Sequence, residues 1–82
     1  MPRPAAYLGL HAAYYRRLGA RIRAARRLAD MSQADIARLT GMPRTAMTLI
    51  ETGRQTLRVH ELAQIALVLD VDFKWLLMSN GD

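Results

Sequence analysis

Residues 39–47 read LTGMPRTAM, and within this stretch Gly41 and Pro43 stand with a single residue between them. On either side the apolar spacing is helical: Ile36, Ala37 and Thr40 fall on one face before the pair, Met47 and Ile50 on one face after it. Glycine takes left-handed backbone at least cost just past a helix C-terminus. Proline is tolerated at or just before a first helical position, where its missing N–H has no partner to lose. The pair therefore ends one helix and starts the next after about three residues, the length of a helix-turn-helix connection. Met42, between them, is placed to anchor the turn in a core.

Upstream, Ser32 is a good N-cap, and Asp35 three residues later puts a carboxylate at the positive end of that helix. Before it, Leu18, Ile22, Ala25 and Ala29 draw one apolar stripe, with Arg21, Arg23 and Arg27 largely off it. Asp30 stands where this first helix should end, and Met31 should tuck back inward. Downstream, a third helix is expected over residues 44–52, closed by Gly53. A loop over residues 54–58 leads to a fourth helix with the stripe Leu62, Ile65, Ala66 and Leu69. A short fifth helix follows over residues 73–78, with Asp72 as N-cap and Trp75 and Leu76 as apolar anchors.

No stretch alternates in the manner of a half-buried strand, so the fold class is all-α, a compact five-helix domain over residues 18–78. Residues 79–82 should fray. Residues 1–17 form an N-terminal extension in which Tyr7, Leu10 or His11, and Tyr14 continue the first stripe backwards. Three courses stay open for it: prolonging the first helix across Gly19, forming a separate helix, or acting as a flexible arm. Gly9 and Gly19 each cost a helix about 1 kcal/mol relative to alanine.

The chain has 82 residues, 51% of them hydrophobic, enough for one core and not for a second folded domain or an effector domain. It has no cysteine, and no run is long and apolar enough for a membrane span or ordered as a signal peptide. A soluble cytoplasmic protein is expected. The formal charge of +5 is unevenly spread. Residues 1–60 carry all eleven arginines against Asp30, Asp35 and Glu51, whereas residues 61–82 carry Lys74 against Glu61, Asp70, Asp72 and Asp82. A basic region of this kind suits phosphates or an acidic partner, and arginine's planar fork favours phosphate. His11 and His60 lack cysteine companions, so no metal site is expected, and no cofactor motif is present. Two serines and no acid–base pair at a telling spacing leave catalysis without a basis.

From residue 18 to 77 the ordered segments RIRAARR, MSQADIARLTGMPRTAMTLIETG and LAQIALVLDVDFKWLL resemble the phage-repressor-like, xenobiotic-response-element family of helix-turn-helix DNA-binding domains (Cro/C1-type). Ser32, Gln33, Ala37, Gly41, Met47, Ile50, Glu51 and Gly53 carry the likeness. It implies a recognition helix over residues 44–52 whose non-core face, Arg44, Thr45, Thr48 and Leu49, contacts bases in a major groove. Arg44 can donate two hydrogen bonds to a guanine, the threonines can bond base edges or touch a thymine methyl, and Leu49 can make only apolar contact. Gln33 matches a phosphate-binding glutamine of the family, and Arg54 and Gln55 would hold a further phosphate. Arg26 and Glu51 match a structural ion pair. Pro43 and Leu49 depart from the pattern, which more often has a hydroxyl cap and a polar residue there.

One recognition helix reads too few base pairs for useful specificity, so a homodimer on a palindromic operator is implied, most simply a bacterial or phage repressor. The apolar C-terminal set Val71, Phe73, Leu76, Leu77 and Met78 is the first choice of dimer seam, and the tyrosine-bearing extension is the second. The residues do not separate a phage repressor, a restriction-modification controller and an antitoxin. An antitoxin would need a second surface, for which Tyr7, Tyr14 and Tyr15 are candidates. The alternative is a protein-interaction module that keeps the fold with weak or no specific DNA binding.

Overall fold

The computed structural model describes the backbone of residues 5–78 and the side chains from residue 11 onward. Five helices follow one another: α1 (Ala5–Leu28), α2 (Gln33–Thr40), α3 (Arg44–Glu51), α4 (Val59–Leu69) and α5 (Phe73–Leu77). The chain is all-helical among the described residues, as its periodicity implies. The expectations for Tyr7 and Leu10 as stripe residues, and for residues 79–82, lie outside the described residues.

α1 runs unbroken from the extension into the domain and through Gly19. The reason lies in α3 rather than in α1. A Cβ on Gly19 would overlap the Ile50 carbonyl oxygen and come within 2.9 Å of the Glu51 carbonyl carbon, so the α1 backbone rests directly on the end of α3. Gly53, with φ 75°, sits equally close to α1, where a Cβ would fall 2.6 Å from the Arg16 Cα.

α1 ends at Leu28, and Asp30, two residues on, turns the chain with left-handed backbone at φ 57°. Ser32 then caps α2: its hydroxyl accepts from the Asp35 N–H at 3.0 Å, and Asp35 Oδ2 accepts from the Ser32 N–H at 2.8 Å. Both donors would otherwise be orphaned at the helix start. Gly41, at φ 74°, closes α2, and the Met42 N–H reaches back to the Ala37 carbonyl at 3.1 Å. Pro43 is the residue before α3, at φ −63° and ψ 144°, and provides no side-chain cap. Asp70 closes α4 with φ 54°, and Asp72 caps α5 by accepting from the Lys74 N–H.

α2 packs on α3 and α4, while α1 lies across α3, α4 and α5. Ile22, Ile36, Met47, Ile50, Ile65 and Leu76 are the largest side chains fully enclosed between them. Three expectations are corrected. Ala29 is exposed because the helix has already ended beside it. Trp75 is 37% exposed rather than a core anchor, and Leu76 is fully buried rather than available to a dimer seam. The cause is the phase of α5, which turns Leu76 inward and leaves Trp75 and Leu77 on its outer side.

Candidate nucleic-acid interface

α3 buries Ala46, Met47, Ile50 and Glu51, and exposes Arg44, Thr45, Thr48 and Leu49. The outer set therefore forms one side of a helix held by its other side. What fixes the angle of that helix is a chain of polar contacts centred on Glu51, which is only 7% exposed. Arg26 of α1 donates from Nε to Glu51 Oε2 at 2.7 Å and from Nη2 to Oε1 at 3.1 Å. Its Nη1 donates to the Met31 carbonyl at 2.9 Å, which ties the α1–α2 turn to the same guanidinium. Hydrogen bonding to Glu51 raises the Arg26 pKa above its ordinary value, against the opposing effect of partial burial.

Gln33, the first residue of α2, extends the chain. Its Nε2 donates to Glu51 Oε1 at 3.0 Å, and its Oε1 accepts from the Thr48 hydroxyl at 2.9 Å. The start of α2 is thereby pinned to the outer face of α3. Sequence reasoning assigned Gln33 to a phosphate and missed this second role. No local signal could have shown it, since Gln33 and Thr48 are fifteen positions apart.

Arg54 lies three residues beyond the end of α3; its N–H donates to the Leu49 carbonyl at 2.8 Å and its side chain is exposed. Gln55 is half-buried and lines a shallow groove of about 190 Å³ with His11, Tyr15, Arg54 and Thr56. The prolonged α1 thus passes beside the loop that leaves α3. Tyr14 and Tyr15 pack partly against the core, and the Tyr14 hydroxyl donates to the Leu77 carbonyl at 3.0 Å. This ties the two tyrosines into the fold and reduces what they can offer a separate partner.

Of the C-terminal apolar set, Val71 and Phe73 are half-buried against the core, and Leu77 and Met78 are 37% and 40% exposed. Among the described residues, no group of three or more His, Cys, Asp or Glu could hold a metal ion, and no helix is long and apolar enough to cross a membrane.

A short helix set across a second by a three-residue turn, with its outer face clear and its inner face locked, defines a helix-turn-helix DNA-binding regulator. The helix-turn-helix domain family matches residues 17–73, and the chain belongs to it. Among solved structures it is similar to the restriction-modification controller protein C.AhdI from Aeromonas hydrophila. The identity is 27%, the TM-score 0.76, and the match covers 80% of this chain and 96% of that one. No curated protein matches.

Proposed function

We infer that the protein is a sequence-specific transcriptional repressor that binds a palindromic operator as a homodimer, with α3 in the major groove of each half-site. The observation that carries this reading is the exposed set Arg44, Thr45, Thr48 and Leu49 on a helix whose opposite side is fixed by Arg26, Glu51 and Gln33. A major groove admits one helix, and a reading helix must be held rigidly to discriminate bases. Arg44 bonds a guanine edge, Thr45 a neighbouring base, and Arg54 and Gln55 hold the backbone beyond α3. Gln33 presents its remaining amide hydrogen and the α2 N-terminus to a phosphate. The likeness to a controller protein favours a controller-type regulator among the three subtypes.

Selection of random duplex DNA by the purified protein tests this. An enriched palindrome with half-sites about one helical turn apart is the expected result. Arg44→Ala should then cost about 1–3 kcal/mol on that site and relax the preference at one base pair.

The rival reading is an interaction module, such as an antitoxin, that keeps the fold with weak DNA binding. Leu49, apolar and 39% exposed in the middle of the outer face, is the observation in its favour. It predicts no enriched sequence, and an Arg44→Ala variant that differs from the parent only in salt-dependent background binding.

A further inference from the structure

The outer face of α3 looks polar in sequence, with three threonines at positions 45, 48 and 52 flanking Leu49. In the fold, two of their hydroxyl protons are already used. Thr48 Oγ1 donates to Gln33 Oε1 at 2.9 Å, and Gln33 is itself held by Glu51, which Arg26 clamps with two hydrogen bonds. Thr52 Oγ1 donates back to the Thr48 carbonyl at 2.9 Å and also lies 3.2 Å from that of Leu49. A hydroxyl has one proton to give, so neither side chain can donate to a base acceptor without breaking a bond inside the protein.

With those protons taken, these two exposed threonines keep an accepting oxygen and a methyl group each. Spaced at i, i+1 and i+4, the Thr48 methyl, the exposed Leu49 and the methyl of Thr52, the residue that caps the helix, make an apolar stripe along the middle of α3 and its C-terminal end. Only Arg44 and Thr45, at its start, keep hydrogen-bond donors that no other residue of this face holds. We propose that α3 reads DNA in two parts: a polar N-terminal turn that takes a hydrogen-bonding base edge, and an apolar stripe that recognises the 5-methyl group of thymine. This rests on the DNA-reading function proposed above and specifies its ligand. The only apolar group that a base pair offers in the major groove is that methyl, which sits at C5 of the pyrimidine.

Thymine-to-deoxyuracil substitution tests the stripe, since it deletes the methyl and leaves every hydrogen-bonding group of the base unchanged. Each thymine of the selected site is replaced singly, and affinity is measured at fixed salt. The expected result is a loss of about four-fold for each methyl that the stripe covers, confined to one or two neighbouring thymines per half-site. In Leu49→Ala that penalty should largely vanish, whereas in Thr48→Val, which keeps a methyl and removes the hydroxyl, the thymine-to-uracil ratio should persist. A selected site bound equally well with uracil at every position overturns the methyl reading while leaving DNA recognition intact. So does a Thr48→Val protein that loses the ratio and changes the preferred base, because the hydroxyl would then be the reader. Absence of any selected site overturns both proposals together.

Discussion

A carboxylate as enclosed as Glu51 is costly to fold unless its charge and lone pairs are answered. Two guanidinium donors from Arg26 and one amide donor from Gln33 answer them. Removing the acid strands a cation that is itself 13% exposed, so Glu51→Ala should destabilise the domain by about 3 kcal/mol in urea denaturation. The replacement also frees Gln33 and with it Thr48, so DNA affinity should fall even at temperatures where the variant is folded. At Gly19, intrinsic helix preference and packing give opposite signs. Alanine would gain about 1 kcal/mol as a helix former, but its Cβ would overlap the Ile50 carbonyl, and backbone cannot move aside as a side chain can. Gly19→Ala should therefore lower stability, by about 1–3 kcal/mol as overpacked sites generally do. An unchanged or raised melting temperature would mean that α1 does not lie this close to α3. The residue types at Asp30, Ser32 and Gly41 were legible because their roles depend on neighbours within four positions. Gly19 was not, since its reason is a carbonyl about thirty positions away.

The same division holds for whole elements. Four helices could be placed from the spacing of apolar residues, because eight or more residues give a stripe a definite direction. α5 has five residues, too few to phase, and the adjacent pair Trp75 and Leu76 could be assigned to either side. The candidate site followed the same logic: the outer side of α3 was legible as the complement of its core side, but the hydrogen bonds that take up the Thr48 and Thr52 hydroxyl protons were not. α2 is the element whose stability should respond most clearly to pH. The Ser32 backbone N–H first, and the Ser32 side chain second, hold the Asp35 carboxyl below its ordinary value. A depressed native pKa stabilises the fold above the unfolded value of about 3.9, and the contribution is lost as pH falls through the native value. Asp35→Asn should accordingly be less stable than the parent near neutrality, and the gap should narrow as the pH is taken below 4. A gap that stays constant in acid would assign the loss to the altered side-chain geometry instead of the charge.

At the scale of the molecule, the two ends of the sequence differ in kind. The arginines lie in residues 1–60, which include α1, α2 and α3, while the segment beyond is net acidic and exposes the apolar groups of Trp75, Leu77 and Met78. Phosphate contacts release counterions, so operator affinity should fall steeply with salt, and Arg54→Ala should lower the slope of log K against log salt by about 0.9 per protomer. Leu76 is enclosed, so any seam at the C-terminal end must use its neighbours. Trp75, Leu77 and Met78 each leave between a third and half of their surface uncovered, and Val71 and Phe73 flank them. We therefore propose the seam there without Leu76. The double variant Leu77→Asp with Met78→Asp places two carboxylates on each side of a two-fold contact, where they would face one another in a dry interface. Light scattering should then report a monomer at concentrations where the parent is a dimer, with the helical circular dichroism unchanged because neither side chain belongs to the core. Operator affinity should fall with it, since each protomer would have to find its half-site alone. A variant that keeps the dimer mass would move the seam to the prolonged α1, where Tyr14 already joins that helix to the Leu77 carbonyl.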